Sequence, residues 1–152
     1  LLGGTGKTLW LEAPIHFAYG CHTTVGDQFY SNFNLTVVDD GRVSIGNSVM
    51  FGPNVTISTT GHPVHPYYRM RGAHFSLPVV IEDGVWIGAN VVVMPGVTIG
   101  KNSVIGAGSV VTRDIPENVV AFGTPCRVIR PITDADLETI RPGMTINADW
   151  NA

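Results

Sequence analysis

Apolar residues recur at every sixth position over much of this chain. From Ile45 the series runs Ile45, Phe51, Ile57, then Ile81, Ile87, Val93, Ile99, Ile105 and Val111, and every member is large and apolar. With 44% of residues hydrophobic, chance would fill nine such places in roughly 6 of 10,000 trials, and in under about 1% once six phases are allowed for. Small or β-branched residues stand four places later, at Val49, Val55, Val85, Val91, Val97, Ser103 and Ser109. Glycine follows the apolar residue at Gly46, Gly52, Gly88, Gly100 and Gly106. A period of six matches neither an α-helix nor a simple strand. It predicts short parallel strands joined by tight turns, with three hexads closing a triangular coil of about 18 residues. The glycines are expected to supply turn dihedrals that a Cβ disfavours. Each coil buries its interior only against its neighbours, as solenoids do.

Two departures organise the chain. Upstream, Ile15 and Cys21 keep the main phase while Val25 and Val37 occupy another, and a two-residue slip at Asp39-Asp40-Gly41-Arg42 restores the phase at Ile45. Between Ile57 and Ile81 the pattern lapses over a polar, aromatic stretch from Gly61 to His74 and then resumes. That stretch is expected to leave the solenoid as a loop over about residues 62–78, and loops of this length are uncommon unless functional. The repeat is expected to end after Val111, with a turn at Asp114–Asn118 and a last apolar segment at Val119–Phe122. Thr133 with Asp136 reads as a capping box opening a short helix through about Ile140, and 141–152 reads as an extended tail. The expected organisation is a solenoid domain over 1–130 followed by a helix and tail over 131–152.

The 152 residues suit one domain. Charged residues are 14% of the chain, below the roughly 25% of ordinary soluble domains, which favours an all-β solenoid over a helical bundle. Net charge is −3, so no basic field is present to attract nucleic acid or an anionic membrane surface. Apolar runs such as Leu77–Ile81 are too short to span a bilayer. Cys21 and Cys126 form no CxxC pair, no signal peptide is read, and a reduced, cytoplasmic location is expected. Gly3-Gly4-Thr5-Gly6-Lys7-Thr8 imitates a phosphate loop, but Leu1 stands where the first glycine is needed and no βαβ pattern follows.

The segment Gly96–Pro116 resembles the hexapeptide-repeat acyltransferases. Four further motifs carry the same resemblance: Asn32-Phe33-Asn34 ahead of Val38-Asp39-Asp40; Thr60-Gly61-His62-Pro63-Val64-His65; Val85-Trp86-Ile87-Gly88; and Gly123-Thr124-Pro125-Cys126-Arg127. Together they make the chain look like the galactoside and maltose O-acetyltransferase branch from about Gly6 to Arg130. The resemblance implies a left-handed parallel β-helix, an exception to the usual right-handed crossover. It also implies acetyl-CoA as co-substrate without a metal, a small carbohydrate-like acceptor, and a cyclic homotrimer with its sites between subunits. Members usually carry a helical segment ahead of the coil that supplies an acidic acceptor contact. None is read ahead of the coil here, and the expectation is that it is removed or disordered or that the acceptor site is built differently.

Residue by residue, His62 resembles the family's general base, and an imidazole suits a poor hydroxyl nucleophile. Tyr30, Asn32 and Asp40 resemble acceptor-side residues, and Asn32 is also implied in stabilising transition-state charge. Asp39-Asp40-Gly41 is equally a good turn sequence. His65 and His74 either line the acceptor pocket or are solvated loop residues, and His74 is taken as the acceptor contact. The resemblance assigns the backbone N–H of Ala89 to the thioester oxygen, and Trp86 either walls the pantetheine channel or fills a subunit contact. Ala107 and Gly108 leave room for a pantetheine arm. Thr112, Arg113, Arg127 and Arg130 are expected at the adenosine-phosphate end, where a guanidinium fork suits phosphate.

Rival readings remain within the same fold. His62, His65 and His74 admit a zinc carbonic-anhydrase-like site, which needs three converging ligands. A non-catalytic, partner-binding solenoid is a second rival, since fold does not fix function. Among transferases, an antibiotic or serine are alternative acceptors.

Overall fold

The computed structural model describes residues 2–141 and 143–146. The chain folds as a parallel β-helix whose three sheets are the faces of a triangular prism. The first sheet stacks Gly4–Thr5, Thr23–Val25, Val43–Ile45, Val79–Ile81 and Thr98–Ile99. The second stacks Leu9–Leu11, Phe29–Ser31, Met50–Phe51, Trp86–Ile87, Val104–Ile105 and Val119–Gly123. The third stacks Ile15–Phe17, Leu35–Val38, Thr56–Ser58, Val92–Val93 and Val110–Val111. Among the described residues no helix is long and apolar enough to cross a membrane.

All nine residues of the six-residue series point inward and are buried, as are the seven companions from Val49 to Ser109. Inward positions sit directly over one another: Ile45 pairs with Ile81 and Ile81 with Ile99, Phe51 with Ile87 and Ile87 with Ile105. Phe29 and Phe51 meet edge-on inside the prism, 5.1 Å between centroids.

The glycines work differently from the sequence expectation. None of Gly46, Gly52, Gly88, Gly100 and Gly106 has a positive φ. What excludes a side chain is the neighbouring coil: a Cβ on Gly88 would lie 2.7 Å from Ala107 N, and one on Gly100 2.5 Å from Glu117 N. The left-handed conformation falls two residues further on, at Gln28, Asn34, Ser48, Asn54, Gly84, Asn90, Gly96, Asn102, Gly108 and Asn118. Asparagine and glycine tolerate that region best, and they fill eight of those ten corners.

Coil length varies along the prism. From Thr5 to Val25 to Ile45 each step is 20 residues, then 36 to Ile81, 18 to Ile99 and 16 to Ile115. The surplus always falls at one corner, where the third sheet passes to the first. Ala18–His22 and Val38–Arg42 widen it in the early coils, and the long excursion leaves from it in the next. Cys21 therefore lies in a corner and is exposed, so its match to the main phase is a coincidence. The ladder also runs past Val111, through Ile115 and Val119–Gly123, before Cys126–Pro131 folds back antiparallel as a lid.

Buried polar side chains tie the widened corners together. Asp39 is fully buried: Oδ1 accepts from Tyr19 N at 2.9 Å and Oδ2 from Thr23 Oγ1 at 2.9 Å. Burial raises its pKa, but hydrogen bonds from Tyr19, Gly20 and Thr23 outweigh that and hold it below the ordinary carboxylate value. One coil up, buried Thr59 donates through Oγ1 to Val38 O at 2.9 Å and accepts from Gly41 N at 2.9 Å.

The C-terminal segment is corrected in one respect. The helix is a single 3-10 turn, Asp134–Leu137, and Thr139–Arg141 is a strand paired with Met144–Thr145 instead of further helix. The Asp136 carboxylate does accept from Thr133 N at 2.9 Å. The rest of the expected tail, 147–152, lies outside the described residues.

Two stability measurements follow from the stack. Ile99→Asp places an unpaired charge inside the prism and is expected to abolish cooperative folding; a normal thermal melt by circular dichroism would show the register to be wrong. Asp39→Ala is expected to cost about 1–3 kcal/mol in urea unfolding near neutral pH. Because the folded pKa of Asp39 is depressed, its contribution is complete above the ordinary carboxylate pKa of about 4 and fades as pH falls through the folded value. The gap between wild type and variant should narrow in acid.

Candidate active site

The excursion is a hairpin rooted in the wide corner. Thr60–Gly61 pairs antiparallel with Phe75–Ser76, and both ends are held by Thr59, whose N–H donates to Val38 O and whose carbonyl accepts from Leu77 N. His62 and His74 stand opposite each other just beyond this ladder, their rings 6.4 Å apart at 70°. Beyond them the chain makes one helical turn, Pro66–Arg69. Proline at its first position and the His65 N-cap, whose Nδ1 accepts from Tyr67 N at 3.1 Å, start it there.

His62 is exposed and its Nδ1 lies 2.9 Å from Ala73 O. A carbonyl can only accept, so Nδ1 donates in this contact, and Nε2 is the ring nitrogen turned away from it. His62 lines an open cleft of about 510 Å³ with Thr60, Gly61, Phe75, Leu77, Met94, Pro95 and Thr112. Met94, Pro95 and Thr112 come from the corner just past the third sheet, so Thr112 meets His62 in one place.

Other expected residues fall into separate groups. Tyr30 and Asn32 are hydrogen-bonded to each other, Asn32 Nδ2 to Tyr30 Oη at 3.1 Å, on the second sheet and its following corner. Asp40 lines a different groove with Cys21, His22 and Arg42. Ala89 and Ala107 stack on successive coils at the corner leading into the third sheet, and Gly108 N donates to Ala89 O. The N–H of Ala89 has no backbone acceptor among the described residues. Thr124 Oγ1 donates to Gly108 O at 3.2 Å, bringing the lid strand to that corner. Trp86 is exposed on the second sheet, flanked by Met50 and Val104.

The terminal arginines differ. Arg127 Nη1 donates to Cys126 O at 2.8 Å, and among the described residues the guanidinium has no side-chain partner. Arg130 forms a two-pronged pair with Asp136, Nη1 to Oδ2 at 2.8 Å and Nη2 to Oδ1 at 2.7 Å. The hydrogen bonds from Arg130 pull the Asp136 pKa down to about 2, so the fork expected on phosphate is already occupied. Among the described residues no three His, Cys, Asp or Glu side chains are grouped to hold a metal ion.

Residues 78–113 match the bacterial transferase hexapeptide (six repeats) family. The chain is 54% identical over 145 residues to galactoside O-acetyltransferase of Lactococcus lactis subsp. lactis (strain IL1403), an alignment covering 95% of this chain and 70% of that protein. This chain belongs to the hexapeptide-repeat acetyltransferase family. Galactoside O-acetyltransferase of Escherichia coli (strain K12) is 59% identical over 131 residues, 86% of this chain and 64% of that protein. The chain thus spans about two thirds of the length of the curated relatives it matches. Among solved structures, a galactoside acetyltransferase in complex with coenzyme A superposes with a TM-score of 0.94 at 52% identity, covering 97% of this chain and 74% of that one. A maltose O-acetyltransferase from Clostridium difficile 630 gives 0.87 at 47% identity, covering 88% and 72%.

Within this member of the family, the cleft has walls to which no role is assigned from sequence: Phe75, Leu77, Met94 and Pro95. Phe75 and Leu77 alternate with polar residues just before the phase resumes, a strand signal obscured by the loop's length. Met94 and Pro95 follow Val93, and only stacking places them beneath His62. The Arg130 pairing carries its own check. In an NMR titration the Asp136 carboxyl should titrate near about 2, and in Arg130→Gln it should return most of the way to the ordinary value near about 4; no change would mean that the pair does not form in solution.

Proposed function

We propose that the protein transfers an acetyl group from acetyl-CoA to a hydroxyl of a small carbohydrate acceptor, with His62 as general base. The observation that carries this reading is the His62–Ala73 hydrogen bond, which engages Nδ1 and leaves Nε2 as the nitrogen available for proton transfer at an open cleft. Nε2 takes the acceptor's hydroxyl proton as the oxygen attacks the thioester carbonyl, and returns it as the thiolate of coenzyme A leaves. The Ala89 N–H, unused by the coil ladder, is assigned to the oxyanion that forms between these steps. The pantetheine arm is assigned to the Ala107–Gly108 corner, with Thr112 along its course and Arg113 and Arg127 toward the phosphates. Arg130 joins them only by releasing Asp136.

Tyr30, Asn32 and Asp40 share no wall of the His62 cleft within one chain. We assign Tyr30 and Asn32 to the neighbouring site of a homotrimer, where they meet the acceptor across a subunit boundary. The outer face of the second sheet supports this, since Trp10, Tyr30, Met50, Trp86 and Val104 stack there in register, and Trp10 and Trp86 are 65% and 51% exposed. An aromatic stripe of this kind marks an interaction surface, and the reading places Trp86 at the subunit contact.

Thiol release from acetyl-CoA, measured with galactosides, maltose, serine and chloramphenicol in the presence of EDTA, tests the reaction. Turnover with a sugar is expected; turnover with serine or chloramphenicol alone would replace the acceptor class, and activity lost to EDTA would favour the zinc alternative. His62→Ala is expected to lower kcat about 10²- to 10⁴-fold with an unchanged melting temperature, and a variant within a few-fold of wild type would remove His62 from the chemistry. Trp86→Glu is expected to convert a trimer to monomers by light scattering, with loss of activity.

A further inference from the structure

The excursion loop has a charge unlike the rest of the molecule. From Thr60 to Ile81 the chain contains no aspartate or glutamate, yet it holds Arg69, Arg71 and three of the five histidines. The remaining seven basic residues stand against all twelve acids. A cationic loop therefore projects from an acidic body, rooted at His62 and His74.

The two loop guanidiniums are ordered without being neutralised. Arg69 Nη1 donates to Val64 O at 2.8 Å and Arg71 Nη1 donates to Tyr67 O at 2.7 Å. Arg71 also lies over the Tyr67 ring, 3.7 Å from its centroid, a cation–π stack that fixes its plane. Among the described residues the ion pair is Arg130 with Asp136, and neither loop arginine has a carboxylate partner. Each keeps other N–H groups open to solvent. Tyr67 and Tyr68 beside them are more than half exposed. Arg71 is three residues from His74, at most about 11 Å of chain, and the His74 ring faces His62 at 6.4 Å, so the loop's charge is tethered close to the His62 cleft.

We propose that this loop binds the anionic group, carboxylate or phosphate, of an acidic sugar whose hydroxyl is presented to His62. The inference rests on the reading of His62 as the base and adds the acceptor's charge to it. The phosphates of acetyl-CoA are a less suitable occupant, because that reading places them past Thr112 toward Arg113 and Arg127, away from the loop. Two guanidiniums held by backbone carbonyls meet an oxyanion with little ordering cost, and the bond is charge-assisted on both sides. A tyrosine ring alongside offers an apolar face to the sugar's C–H surface.

Titration calorimetry of the full chain with coenzyme A present tests this, using methyl glucuronide, glucose 6-phosphate and neutral methyl glucoside. At low ionic strength the anionic sugars are expected to bind about 10- to 100-fold more tightly than methyl glucoside. Preference for only one of them identifies the carboxylate or the phosphate as the group recognised. Arg69→Gln with Arg71→Gln should erase the preference while leaving the methyl glucoside Kd and the melting temperature unchanged, and Arg69→Lys with Arg71→Lys should restore part of it. Equal affinities in the wild type, or a preference that survives the double glutamine variant, would overturn the proposal. Thiol release is read separately: transfer to neutral sugars without any anionic preference leaves the transferase standing and removes only this inference, and no transfer to any sugar removes the transferase reading itself.

Discussion

Every feature of this protein is subordinate to the vertical registry of its coils. An inward side chain must sit on its counterpart in the coil below, because the backbone ladder and the close approach at the corner glycines leave no room for a sideways slip. Extra residues can therefore be discharged only at corners. In this chain they are discharged at one corner, between the third sheet and the first, first as two-residue widenings and then as the excursion that carries His62. The loop emerges there because the corners beneath are already wide and are stitched by Asp39 and Thr59.

That stitching is a polar seam at the edge of a dry interior. The core of valine, isoleucine and phenylalanine needs no partners, whereas Thr23, Asp39 and Thr59 are buried with their hydrogen bonds satisfied within the seam. A buried carboxylate supplied with several donors remains ionised and rigid, and buried polar groups that are fully satisfied define a single arrangement. The loop thus rests on a stiff base while its own tip is exposed, the usual division between scaffold and functional segment.

The geometry also separates what one chain does from what an assembly does. His62, its orienting carbonyl and the apolar cleft walls belong to one corner. The Tyr30–Asn32 pair belongs to the second sheet and faces away, next to a stripe of exposed tryptophan and methionine. In the proposed trimer the reaction joins these two surfaces across the subunit boundary. Charge follows a similar division, with two arginines and no carboxylate on the loop and all twelve acids elsewhere in the chain.

Much of this was legible from residue order alone. The six-residue period located sixteen inward positions from Ile45 to Val111, because burial inside a solenoid favours an apolar or small residue at each stack point whatever surrounds it. The loop showed itself as a lapse in that period, with His62 near its start. Other features were beyond reach. The reason for the glycines was misjudged, because contact between coils is invisible in a linear pattern. The asparagine and glycine series two residues later, which does carry the turn dihedrals, was present in the text but lacked a geometry to explain it. The last turn of ladder past Val111 was missed because its coil is two residues short of the repeat. The C-terminal strand pair replaced a longer helix because a weakly periodic segment follows its local pairing. The sequence by itself determined the prism and the place where it opens. Tertiary structure decided which residues share a cleft, since proximity between Thr112 and His62, or between Arg130 and Asp136, depends on how coils stack and where the chain folds back.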